Sequence, residues 1–359
     1  MSQANAPLTR IASTVAAIGL SLAAARKVAR RGSARESRPA DGDGGGGDRG
    51  QGAAAPREIP ARGWWDVLKR VWREAGEDNV WVIAAGCAFF SLLSIFPFIT
   101  ALVSIYGLVA DPTQVEEHAT MLQGLLPAEA YELIVGQLHD VAASPPTGLG
   151  LSLVISIGLA LWSASAAVKC VFAALNIAYE EEETRSLVAY HLTALAFTVG
   201  GILVILIALG TIIVVPVVLN FIGLGTFGEW LIRILRWPLL GALVILGFAV
   251  LYRWGPSRSE AKWRWVTWGS AVATVLWLLA SIAFSFYVAN FGNYNETYGS
   301  LGAVIVVLMW LYVSAYVVLL GAELNSELEH QTARDTTTGP EQPRGTRGAW
   351  VADNVAQTS

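Results

Sequence analysis

Between Val80 and Leu324 the chain carries six apolar stretches, each long enough to cross a lipid bilayer. About 20 consecutive apolar residues span the hydrocarbon core as a helix, and within lipid only helices or closed barrels satisfy every backbone N–H and C=O. The stretches run from about Val80 to Val109, Leu149 to Ala178, Leu187 to Leu219, Trp230 to Tyr252, Trp265 to Ala289 and Leu301 to Leu324. Several exceed the minimum, so tilt, kinking or protrusion is expected. The composition agrees: 14% of the 359 residues are charged, where a soluble domain has roughly 25%. The chain therefore reads as an all-α polytopic membrane protein, a bundle of six transmembrane helices. A net charge of -4 is far from the basic balance of a dedicated nucleic-acid binder, and no nucleic-acid partner is expected.

The few charges set the orientation. Thirteen basic residues precede the first span, one lies between Tyr179 and Ser186, four lie between Arg253 and Arg264, and three follow the sixth span. The opposite connections carry Arg233 and Arg236 alone, and Lys169 lies inside the second span. By the positive-inside rule both termini are expected to be cytoplasmic, with the helices in contact with membrane lipids. The loop between spans one and two carries six acidic residues and no Lys or Arg, which reads as a solvated acidic cap on the outer side.

Three regions follow. Residues 1–62 form a basic, Gly-rich extension and residues 331–359 a tail of Thr, Gly, Pro and charge; neither buries enough apolar surface to offset ordering, so both are expected to be largely disordered. Residues 63–330 form the membrane domain. Within the extension, Ile11 to Ala25 resembles a signal-peptide core, but cleavage would strand the basic segment behind it, so an uncleaved helix is expected. Gly63 to Asp78 is amphipathic: Trp64, Leu68, Val71, Trp72 and Ala75 recur at helical spacing, with Lys69, Arg70, Arg73 and Glu77 opposite. Such a segment suits an N-terminal interfacial helix in the cytoplasmic headgroup layer.

Catalytic signatures are missing. The four histidines, His118, His139, His191 and His330, form no metal-ligand pair, and there is no phosphate-binding Gly loop with its Lys and no nucleophile elbow. Neither enzyme activity nor a cofactor or metal is expected. Cys87 and Cys170 both fall within apolar segments and read as small buried hydrophobes.

The candidate functional residues are polar or helix-breaking groups in costly places. Ser91 and Ser94 precede Pro97 in the first span, where the missing N–H leaves the Leu93 carbonyl free. Pro238 takes the comparable place in the fourth span if the domain is two inverted three-helix halves, although the halves show no convincing similarity. In the second span Trp162, Ser165, Lys169 and Asn176 share one helix face. Lys169 either snorkels to the headgroups or faces a polar cavity, with Glu323, Asn325 or the run Glu180 to Glu183 as its partner. Gly302 and Ala303 near the start of the sixth span, and Gly321 and Ala322 near its end, permit close helix packing.

Three passages carry a resemblance: AAGCAFFSLLSIFP at Ala84 to Pro97, LWSASAAVKCVFAALNIAY at Leu161 to Tyr179, and YNETYGSLGAVIVVLMWLYVSAYVVLLGAELN at Tyr294 to Asn325. The sequence resembles the YihY/BrkB family of bacterial membrane proteins, some of which once bore the label ribonuclease BN. In the third passage Tyr294, Tyr298, Gly299, Trp310, Tyr312, Gly321, Glu323 and Asn325 fall where the family pattern has them. The resemblance implies a six-helix inner-membrane protein linked to envelope integrity, and hence transport or flipping of a lipid-linked or envelope substrate. A non-transporting membrane scaffold is the alternative. A ribonuclease ranks last, because the cytoplasmic segments offer no catalytic constellation.

Overall fold

The structure, a computed structural model, describes residues 49–109, 149–222, 225–291 and 301–356. The described residues are helical and contain no strand; a single antiparallel bridge joins Ala261 to Thr337. The helices are α1 (Ala61–Glu77), α2 (Val80–Val109), α3 (Leu149–Ala178), α4 (Leu187–Ile222), α5 (Gly225–Trp254), α6 (Trp263–Phe291), α7 (Leu301–Gln331) and the short α8 (Trp350–Asp353). Among the described residues five helices are long and apolar enough to cross a membrane, and α1 with the first half of α2, bent by 63° between them, makes a sixth if the pair counts as one span. The acidic loop between α2 and α3, the stretch Ile11 to Ala25, Tyr294 and Tyr298 lie outside the described residues.

Helix α7 is the hub, packing against α1, α2, α3 and α6. Its contact with α6 is a backbone approach made possible by two glycines. A methyl group on Gly321 would stand 2.6 Å from the Ala273 Cβ and would also strike the Tyr252 hydroxyl; one on Gly269 would meet the Gly321 carbonyl oxygen at 2.5 Å. The space so gained is used, because Tyr252 from α5 donates its hydroxyl to the Val318 carbonyl of α7 at 2.7 Å. Outward faces of α4 and α6 leave Leu192, Leu203, Leu279, Ile282 and Phe286 exposed, as helices bathed in lipid do.

Hydropathy ends the sixth span at Leu324, but α7 continues to Gln331. The extra turns hold because their polar side chains are met from neighbouring elements rather than from water. Asn325 accepts from the Gly269 N–H at 2.8 Å and donates to the Val266 carbonyl at 3.2 Å. Glu327 is ion-paired with Arg70 of α1, and Glu329 with Arg258 from the α5–α6 connection. Arg70 therefore faces inward, not to the solvated side of α1 where simple periodicity puts it, while Trp65, Leu68 and Trp72 are exposed.

The disorder expected of the tail does not describe residues 332–356, which pack onto this polar end together with residues 49–60. Thr332 donates to the Ala53 carbonyl at 2.7 Å, the Ala333 N–H to Gln51 at 2.8 Å, and the Ala356 N–H to His330 at 2.8 Å. Arg347 spans the tail, donating to the carbonyls of Ala352 at 2.6 Å and Ala333 at 3.1 Å. Asp335 accepts from the Thr337 N–H at 2.9 Å, the Thr337 hydroxyl at 2.7 Å and the Gln342 N–H at 2.9 Å. Composition misjudges the segment because hydrogen bonds, not apolar area, hold it.

Two predictions follow from this packing. Gly321→Ala overfills the α6–α7 crossing and lowers stability by about 1–3 kcal/mol, measured by thermal unfolding in detergent. The second concerns acid. Burial alone would raise the Asp335 pKa, but the hydrogen bonds from Thr337 and Gln342 and the nearby Arg347 outweigh it and hold the carboxyl below its usual range. A depressed pKa means the unfolded tail binds the proton more readily, so the contribution is full above the unfolded value of about 3.9 and is lost as pH falls through the folded value. Amide exchange protection at Gln342 should accordingly drop in acid in the native protein but show no such step in Asp335→Asn.

Candidate functional site

Polar side chains converge where the bundle meets its two terminal segments. At the end of α3, Asn176 accepts from the Ser257 N–H at 2.8 Å and donates to Glu183 at 3.2 Å. Glu183 receives a two-pronged bond from Arg185, 2.7 Å on each oxygen, and Arg185 also donates to the Gly255 carbonyl at 3.0 Å. Burial works against the Glu183 charge, but the Arg185 and Asn176 bonds prevail and keep its pKa low. Asn176 thus ties the α3–α4 and α5–α6 connections together; it does not share a site with Lys169.

Beneath this lies the pair Arg258–Glu329, with side-chain exposures of 1% and 0%. The guanidinium donates to both carboxylate oxygens, at 3.2 and 2.7 Å, and lies 5.1 Å from the centre of the Tyr179 ring. Thr336 of the tail donates to the same carboxylate at 2.6 Å. Burial alone would lower the Arg258 pKa, yet the Glu329 charge overrides it and the guanidinium stays charged.

Glu323 is buried one turn before Glu327, at 2% exposure, and its Oε1 has no hydrogen-bond partner among the described residues. Asp78, Glu327, Glu74 and Glu180 all lie within electrostatic reach of it. Glu74 and Asp78 come from the end of α1, and Glu180 from just beyond α3; one carboxylate oxygen of each lies within 4.8 Å of the others. Asn79, next to Asp78, has a left-handed backbone at φ 53°, and Glu180 itself has one at φ 56°. Such conformations are uncommon outside glycine and turn the chain sharply. Asn79 makes the bend between α1 and α2, and Glu180 ends α3.

Lys169 stands elsewhere. Its ammonium lies 4.7 Å from the centre of the Trp162 ring, on which His191 of α4 stacks at 4.6 Å. Tyr190 donates to the Lys169 carbonyl at 3.1 Å. Among the described residues no carboxylate pairs with Lys169, so none of the anticipated partners meets it. Ser165 is buried and bonds within its own helix, to the Trp162 carbonyl at 2.6 Å. In α2, Ser91 is half-buried, Ser94 is buried with its hydroxyl unpartnered among the described residues, and the helix runs on through Pro97. Cys87 and Cys170 are free thiols whose sulfurs meet at 3.3 Å across the α2–α3 contact.

Sequence reading identified Glu323 and Asn325 but missed Arg70, Glu74, Asp78, Arg258, Glu327 and Glu329. A partial signal existed: Glu74 and Asp78, like Glu323 and Glu327, are four residues apart and share a helix face.

The chain matches the profile described as Virulence factor BrkB over residues 71–346. Among its relatives is YfkH of Bacillus subtilis, whose name carries the description ribonuclease-like, 32% identical over 253 residues that cover 68% of this chain and 88% of YfkH. A UPF0761 membrane protein of Rhodospirillum centenum is 29% identical over 280 residues, 77% of this chain and 59% of that one. Another from Pseudoalteromonas translucida is 24% identical over 285 residues, 76% of this chain and 88% of that one. No solved structure matches the chain. With more than half its length under that profile and with its apolar helices, the chain belongs to the virulence factor BrkB family of membrane proteins.

Proposed function

We propose that the protein spans the inner membrane with both termini in the cytoplasm and moves or flips an anionic, lipid-linked envelope substrate without an ATPase of its own. The observation that carries this reading is Lys169. A lysine at membrane depth costs about 2.5–3.5 kcal/mol on insertion scales, and such residues mark substrate paths when they are kept. Here the ammonium is held against Trp162, with His191 stacked behind, and without a carboxylate partner among the described residues. A lone cation beside exposed aromatic surface suits a phosphate-bearing headgroup whose tails stay in lipid. The imbalance of basic residues between the connections supports the orientation.

A scaffold role is favoured by a separate observation, the ordered cap that residues 49–60 and 332–356 build on the bundle end. Reconstitution separates the two. In vesicles carrying a fluorescent anionic lipid, the wild-type protein should speed transbilayer movement over empty vesicles; Lys169→Ala should lose about tenfold, equivalent to about 1.4 kcal/mol, and Lys169→Arg should keep most of the rate. Wild-type rates equal to those of empty vesicles would contradict transport and leave the scaffold.

A further inference from the structure

We propose that Cys87 of α2 and Cys170 of α3 are a redox-active pair: a peroxide oxidises them to a disulfide that fastens the two helices together, and thiol reductants reopen it. The inference stands apart from the transport reading. The sequence suggested only two small buried hydrophobes, because 83 positions separate the cysteines and no Cys-X-X-Cys spacing announces a pair. Packing α2 against α3 brings them together.

The sulfurs lie 3.3 Å apart, and each is the hydrogen-bond partner of the other. Both are free thiols. Closing to a bond of about 2.05 Å takes a further approach of about 1.3 Å, within reach of modest rotations about the two Cα–Cβ bonds. Metal binding is the other common use of paired thiols. Among the described residues the groups able to hold an ion with three or more ligands include neither cysteine, so a zinc site of the thiolate type has no ligand set here.

The surroundings give the two thiols different parts. Cys87 is 1% exposed and belongs to the buried apolar cluster that includes Ala84, Ala174 and Leu175, whereas Cys170 is only partly buried and packs against that cluster. The more open thiol therefore meets an oxidant first, and the buried one resolves the product. A peroxide suits the place because it is small and uncharged.

In the first step the Cys170 sulfur attacks one peroxide oxygen and the O–O bond breaks. The departing hydroxide takes the thiol proton as water, and Cys170 is left as a sulfenic acid. In the second step the Cys87 sulfur attacks the Cys170 sulfur and the S–O bond breaks. The departing hydroxide takes the Cys87 proton as a second water. Two thiols thus lose two electrons, and one peroxide is reduced to two waters. An added dithiol reverses the bond by thiol–disulfide exchange. The disulfide would fix α3 to α2 at the residue next to Lys169. Disulfides on the reducing side of a membrane are transient and sensing rather than structural, which suits a contact already packed in its reduced form.

The test uses the full chain in detergent, reduced, freed of reductant and exposed to hydrogen peroxide, then quenched with catalase, unfolded in SDS and labelled with a heavy maleimide. Reduced protein should carry two labels per chain and peroxide-treated protein none, with an intact mass lower by two hydrogens, and a dithiol should restore both labels. The bond should form at least about tenfold faster in the folded chain than in a chain unfolded before oxidation, because packing holds the sulfurs together. Cys87→Ala should leave a sulfenic acid on Cys170 that dimedone traps, while Cys170→Ala should keep its one label. If a variant fails to fold, the label count and mass of the native chain decide alone. Oxidised native protein should also unfold at a higher temperature than reduced protein. Two labels retained after peroxide, loss of label that a dithiol does not reverse, disulfide-linked dimers in place of the internal bond, or equal rates in folded and unfolded chains would overturn the proposal. None of these readouts depends on lipid movement.

Discussion

The ion pair between Arg258 and Glu329 holds together elements that otherwise have little reason to meet. It is almost wholly withdrawn from solvent, and its carboxylate also accepts from Thr336. Through it the α5–α6 connection, the last turn of α7 and the C-terminal segment share one set of hydrogen bonds. A buried pair of this kind adds little net stability compared with a well-packed apolar substitute, but losing one partner costs about 3–5 kcal/mol, because the other charge is left unpaired. Its effect is therefore specificity: other arrangements of the tail leave an unpaired charge inside the protein.

The same logic divides the molecule in two. Along the membrane-length helices, contact is made by small residues and backbone proximity, as at Gly269 and Gly321, and apolar side chains face outward. At the polar end, contact is made by Arg70 with Glu327, Arg185 with Glu183, Asn176 with Ser257 and Asn325 with Gly269. Where each acid meets a base or an amide, the network is structural. Glu323 stands apart from these pairs: it is buried, and its Oε1 has no hydrogen-bond partner among the described residues.

This division also governs what the sequence could reveal. Hydropathy located the starts of α2, α3, α4 and α7 at the observed residues, because burying apolar length in lipid is a local property of each stretch. It stopped α7 seven residues early, since Asn325, Glu327 and Glu329 look like solvated residues until Gly269, Arg70 and Arg258 are known to face them. Periodicity turned Arg70 outward for the same reason. The tail was judged by its apolar content, although Thr332, Asp335 and Arg347 order it by hydrogen bonding to groups far away in sequence. The family pattern drew attention to Glu323 and Asn325, but not to the residues of α1 and the α3 end that give Glu323 its surroundings.

Amide hydrogen exchange across residues 332–356 in Arg258→Met, Glu329→Leu and the double variant tests most directly whether the buried pair organises the polar end. Each single change should strip protection from the segment, in line with a loss of about 3–5 kcal/mol, and the double change, which leaves no orphaned charge, should restore part of it. Protection unchanged in both single variants, or a double variant no better than the worse single one, would contradict the view that this pair holds the tail to the bundle.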